Sequence, residues 1–239
     1  MEQIPVYGDE RTLAFCAFCG GKTETRDHCP SRVFLDEPYP QQLPVVFACL
    51  DCNAGFSEDE EYFACLVSCV IAGTTDPDAI PRGKTNRILK SKPALRARIE
   101  QSRSVIDGIT LFNPEHERVR AVLTKLAQGH ALYELHESCA YPPDRVVYLP
   151  LPRMSETQRH DFENPEPHGA WPEVGSRAMQ RAIIGTDVTL GGWLDVQAGR
   201  YRYHASQGDG IDVRIAVEIG SDSNVTNLSM LQYAAVVVP

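Results

Sequence analysis

Cys16-x-x-Cys19, the dipeptide Asp27-His28, and Cys49-x-x-Cys52-Asn53 follow one another in this chain of 239 residues. They bring together two ligand sets of opposite character. Four thiolates in two closely spaced pairs suit a closed tetrahedral zinc site, with every position filled and none open to substrate. Free buried thiols or an iron centre is the other reading of the same cysteines. A carboxylate (Asp27) and an amide oxygen (Asn53) instead suit a hard, partly hydrated divalent cation such as Mg2+ or Mn2+. His28, beside that second set, is a residue type that takes a proton from water near neutral pH. Zinc as a staple beside a cation and a base points to metal-dependent phosphodiester hydrolysis.

The elements that must position these residues are short. From Leu13 to about Phe56 the chain is turn-rich, and Gly20-Gly21, Pro30 and the PYPQQLP stretch break it up. Pro44-Val45-Val46-Phe47-Ala48 reads as a strand leading into the second cysteine pair. Ser57-x-x-Glu60 is a capping-box pattern ahead of the apolar run EEYFACLVSCVIAG, which reads as a core helix. Residues 13–75 thus form a strand–strand–helix unit held by metal. Cys65 and Cys69 fall in the core helix and Cys139 near a helix end, where packing is the simplest role. Cys29 is either a weak further ligand or a packing residue.

The stretch CAFCGGKTETRDHCPSRVF…VVFACLDCNAGFSEDEEYF resembles the HNH, or ββα-metal, endonuclease family over about residues 13–65. The pattern is a CxxC pair, an Asp-His dipeptide, then a second CxxC followed at once by His or Asn. The resemblance implies that Asp27 and Asn53 hold the catalytic Mg2+ or Mn2+ and that His28 is the general base. It also implies that DNA is cut to leave 5′-phosphate ends. The family's middle asparagine, which orients the base, has no counterpart, and Gln42 stands nearest its place. Phe56 replaces the basic residue often found after the second pair.

Beyond this unit, residues 82–138 read as helical with a basic face. Ile88, Leu95, Ile99 and Ile106 recur at helical spacing, with Pro93 as a restart. A second helix over 116–138 buries Val119, Val122, Leu123, Leu126, Leu132 and Leu135, with Gly129 weakening its middle. The net charge is −9, yet Arg82, Lys84, Arg87, Lys90, Lys92, Arg96, Arg98 and Arg103 face only one acid, Glu100, in their stretch. Such a stripe can bind a phosphate backbone, and equally can be a solvated helix face. Residues 145–239 read as β-rich, one antiparallel sheet: RVVYLPL, GTDVTLGGWLDVQ, RYRYHAS, GIDVRIAVEI and LQYAAVVVP carry strand signals, and SETQRHDF a short helix. This part is the place for specificity, oligomerisation or regulation.

The fold class expected is therefore α+β. No run of apolar residues is long enough for a membrane span, and MEQIPVYGDERTLAF lacks a secretory pattern, so a cytoplasmic setting is expected. His116, His130, His136, His160, His168 and His204 show no ligand spacing and read as surface or packing residues. Trp171 and Trp193 read as core or sheet-face residues. The leading expectation is a DNA endonuclease, with RNA as a second candidate polymer. The rival is a zinc-stabilised nucleic-acid-binding or scaffold protein whose Asp27, His28 and Asn53 form a hydrogen-bonded cluster without chemistry.

Overall fold

A computed structural model describes residues 13–138, 145–149, 154–165, 171–184, 192–208, 210–217 and 236–238. Expectations at residues 1–12, at Cys139 and at His168 lie outside them. The chain is a mixed α+β protein with antiparallel sheets. Strands β1 (Thr25–His28) and β2 (Val45–Ala48) pair antiparallel, with Asp27 opposite Val46 and His28 opposite Val45. A short helix α1 (Leu50–Gly55) follows, and then α2 (Ser57–Ala72), which buries Tyr62 to Cys69 and ends on Gly73 in the left-handed conformation.

The expected capping box does not form. Helix α1 occupies the space ahead of α2, so Ser57 is already helical and its hydroxyl donates to the Ala54 carbonyl. Glu60 turns inward and is buried. Pro93 does restart the next helix: α3 (Gly83–Ser91) and α4 (Pro93–Gln101) meet there, with Lys92 between them.

Ile106 is not helical. Residues 103–112 form a hairpin, β3 (Arg103–Ile106) and β4 (Ile109–Phe112), around Asp107 and Gly108, both at positive φ. Asp-Gly between β-branched residues is the strongest short hairpin signal, and here it outweighs the helical spacing of isoleucines. The hairpin leaves Val105, Ile106 and Ile109 more than half exposed.

Helix α5 (His116–Leu135) crosses the molecule, and every residue expected on its inner face is buried. One side of it meets α2 and β2. The other meets a five-stranded antiparallel sheet of order β5-β9-β8-β7-β6, made by Arg145–Val147, Val236–Val238, Ile211–Val217, Tyr201–Gln207 and Leu194–Gln197. Helix α6 (Glu156–Glu163) carries a true capping box from Ser155 and Gln158, and α7 (Arg177–Ile184) packs on α5. One apolar cluster runs from Cys29 and Phe34 through Tyr62, Leu66, Leu123 and Leu126 to Tyr201 and Ile215. The three stretches of chain thus share a core. Trp193 packs edge-on against Phe162 as expected, whereas Trp171 is 77% exposed. No helix among the described residues is long and apolar enough to cross a membrane.

Gly129 sits where α5 passes closest to the loop after β1. A Cβ there would lie 2.6 Å from Cys29 Sγ. Only glycine lets the helix come this near, and that approach delivers Lys125 to β1.

Candidate active site and metal centre

The two cysteine pairs are brought together by backbone turns. Cys16 N–H donates to Gly21 O, and Gly20 N–H returns to Cys16 O, with Gly20 at φ 70° closing the first knuckle. Cys49 is the N-cap of α1, and its sulfur accepts from Cys52 N–H at 3.3 Å. The sulfurs of Cys16, Cys19, Cys49 and Cys52 all lie within 4.8 Å of one another, with Cys19 and Cys49 at 3.8 Å. A tetrahedral ion with Zn–S bonds of about 2.3 Å requires sulfurs about 3.8 Å apart.

The thiol energetics agree. Burial raises the Cys16 thiol, but the backbone N–H groups around it outweigh burial and bring it down to about 7. Cys52 is pushed well up, by burial and by its neighbouring sulfurs. Four sulfurs this close cannot all ionise against their mutual repulsion without a cation between them. The cluster can hold a metal ion such as zinc.

Next to it, Asp27, His28 and Asn53 lie where β1 meets α1. Asn53 Nδ2 donates to Thr25 Oγ1 at 3.2 Å and to Arg26 O at 3.3 Å. Those two bonds fix the amide and leave its oxygen as the free metal-type ligand. Asp27 is buried and faces inward from β1, and His28 is half-buried at the strand end. Arg32, in the 3-10 turn Arg32–Phe34, donates from Nη2 to His28 Nε2 at 3.1 Å. The lone pair of the neutral ring is therefore on Nε2 and its proton on Nδ1. Burial and the Arg32 guanidinium lower the His28 pKa, partly offset by Asp27, so the ring is neutral near pH 7.

His28 Nδ1 is buried without a hydrogen-bond partner among the described residues. Gln42 does not supply one. It lies exposed in the turn before β2, and the residue paired with His28 across the strands is Val45. Gln42 is thus not an orienting amide in this structure.

The residue that the spacing of motifs missed is Lys125. Its ammonium is buried, 2.7 Å from Asp27 Oδ2 and 2.6 Å from Glu60 Oε1. Burial pushes its pKa down, but Glu60 and Asp27 outweigh burial and raise it, so the ammonium stays charged. Glu60 itself is raised by burial, partly offset by Lys125 and by Ser31, whose hydroxyl donates to it. A signal for Lys125 existed: it interrupts the buried stripe Val122, Gly129, Leu132 at helical spacing. Cys29 is a packing residue, with its thiol donating to Leu126 O and pushed far up by burial.

The basic stripe is only partly available. Arg82 is buried, bonded to Asp36 at 2.9 Å and to the carbonyls of Val33 and Leu35. Lys84 donates to Arg32 O, Leu35 O and the Tyr39 hydroxyl. Neither can grip a phosphate backbone without dismantling the loop it holds. Lys90, Lys92, Arg98 and Arg103 pair at the surface with Asp78, Glu61, Glu115 and Glu100. Arg87 and Arg96 are exposed. His130, expected at the surface or in packing, is fully buried, bonded to the Tyr201 hydroxyl and stacked on Tyr203.

No protein-family model, curated protein or solved structure matches this chain.

Proposed function

We propose that this chain is a metal-dependent endonuclease of the HNH type that hydrolyses DNA phosphodiester bonds. The observation that carries the reading is the placement of Asp27 and a neutral His28 on β1, with the amide of Asn53 bonded to the same strand beside a four-cysteine cluster. The order β1-β2-α1 around that cluster supports the ββα-metal fold that the sequence resembles.

The residues present fit a catalytic cation, because Asp27 retains one carboxylate oxygen beyond Lys125 and Asn53 offers its amide oxygen. When bound there, Mg2+ or Mn2+ would supply positive charge to the phosphate and to the leaving 3′ oxygen. His28 accepts the proton of the attacking water at Nε2. For this, Arg32 swings from the ring to a phosphate oxygen, which its planar guanidinium suits. Asn53 and Asp27 stay fixed, one by Thr25 and Arg26, the other by Lys125. Arg87 and Arg96 hold the nucleic-acid backbone, and the surface pairs of Lys90, Lys92, Arg98 and Arg103 exchange their partners for phosphates at little cost. RNA offers the same phosphates and is a second polymer for the assay.

The test is cleavage of supercoiled plasmid, and of an equal mass of RNA, by the zinc-loaded chain with Mg2+ or Mn2+. EDTA should abolish cutting, and His28→Ala should slow it by about 10²–10⁴-fold, the usual contribution of a general base. Equal cleavage by wild type and His28→Ala refutes the assignment. One observation favours the binding-protein alternative: His28 Nδ1 has no orienting partner among the described residues. That reading predicts DNA binding untouched by His28→Ala and no cleavage in any divalent metal.

A further inference from the structure

Lys125 holds Asp27 but touches more than that one carboxylate. Its ammonium lies between a β1 carboxylate and an α2 carboxylate, 3.3 Å from Ser31 Oγ, and faces the rings of Phe18 and Phe56 at 5.6 and 5.3 Å. Phe18 belongs to the first cysteine knuckle, and Phe56 follows the second. The contact to Asp27 Oδ2 is close but off the hydrogen-bond axis, so it compensates charge more than it directs a bond. A methionine would fill the same space but leave two buried carboxylates without a counter-charge, so one task of the ammonium is to compensate them. That same pairing bears on what the two carboxylates can bind.

Counting charges shows how. Asp27 and Glu60 are two carboxylates that converge on one ammonium. Without Lys125 they would be two uncompensated acids, a stronger attractor for a hard divalent cation. With Lys125 present, a single negative charge remains, Asp27 offers one oxygen, and Glu60 is held back.

Building on the cation site proposed above, we infer that Lys125 is a positioning residue that keeps this site weak and open. It withholds Glu60 and one oxygen of Asp27, so that coordination positions remain for water and substrate phosphate.

The experiment is a titration of the zinc-loaded full chain with Mn2+ at fixed pH, following free Mn2+ by electron paramagnetic resonance. Zinc content and circular dichroism report the fold. Lys125→Met should bind Mn2+ at least tenfold more tightly than wild type. Glu60→Gln removes an acid but keeps the lysine, so it should bind severalfold more weakly. If Lys125→Met retains zinc and fold yet binds Mn2+ no more tightly, the role of Lys125 is overturned while the cation site stands. If neither wild type nor variant binds Mn2+, the cation site fails and the inference with it. Should Lys125→Met not retain zinc, the double variant Lys125→Met with Glu60→Gln decides: Mn2+ binding tighter than in Glu60→Gln alone supports the inference, and equal or weaker binding overturns it.

Discussion

Substituting Gly129 by alanine sets two opposed effects against each other. Alanine is about 1 kcal/mol better than glycine in a helix interior, so propensity alone predicts a more stable protein. The new Cβ, however, would sit 2.6 Å from Cys29 Sγ and 3.1 Å from Cys29 Cβ. Ordinary carbon contacts lie at about 3.5–4.0 Å. Cys29 has little freedom to yield: it is buried, its thiol is bonded to Leu126 O, and its Cβ is fixed to the backbone. Overpacking of this kind costs up to about 3 kcal/mol. The net expectation is a loss of about 2 kcal/mol, or about 4–8 °C in Tm for a chain of this size. A cycle of Gly129→Ala, Cys29→Ala and the double variant, unfolded in urea and followed by circular dichroism, separates the two effects. Removing Sγ removes the worst contact, so the double variant should be about as stable as Cys29→Ala alone, a favourable coupling of about 2 kcal/mol. A Gly129→Ala protein as stable as wild type, or a cycle without coupling, would refute the claim that glycine is needed for this approach.

Arg82→Ala should destabilise by about 2 kcal/mol, below the usual cost of breaking a buried pair because Asp36 keeps Arg200 at 2.5 Å. Arg96→Ala should leave stability unchanged and, in a DNA-binding titration, flatten the log–log salt slope by about one unit; the reverse pattern would exchange their roles. Cys49→Ser should lose bound metal, measured by atomic emission, together with the helical signal of the N-terminal unit, and full retention of both would contradict a structural site. His130, which burial brings down to about 3, is neutral in the fold but protonates in the unfolded chain from about pH 6.5. Its contribution is complete above pH 6.5 and is lost as pH falls toward 3. The wild-type minus His130→Gln difference in unfolding free energy should therefore shrink by about 2 kcal/mol between pH 7 and pH 5, and a constant difference would count against a buried neutral imidazole.

The cysteine pairs and the strands beside them were legible because their information is local: spacing makes a knuckle, and a short apolar run ahead of Cys49 makes β2. The inner face of α5 was legible for the same reason, since one period repeats along it. Glu60 shows where local reading stops. Three residues after Ser57 it matches a capping box, yet a buried ammonium from a helix 65 residues away along the chain draws it inward. The 103–112 hairpin was legible in Asp107-Gly108, but the isoleucine spacing around it imitates a helix. Gln42 failed because a resemblance fixes which position should carry an amide, not where the turn holding it points.

The basic stretch makes the most instructive case, because the residues it loses from the surface still serve the site. Arg82 and Lys84 were expected to hold phosphate oxygens. They hold carbonyl oxygens instead: Val33 and Leu35 for one, Arg32 and Leu35 for the other. Those carbonyls belong to the turn that follows His28, and that turn carries the Arg32 side chain to His28 Nε2. A guanidinium fork and a three-donor ammonium meet inward-turned carbonyls as readily as they meet anions. Counting charge therefore cannot separate a residue that would grip an anion from one that shapes the loop beside His28. Bonding partners separate them: Arg82 and Lys84 hold the carbonyls of that loop, whereas Lys90, Lys92, Arg98 and Arg103 pair with acids and Arg87 and Arg96 are exposed.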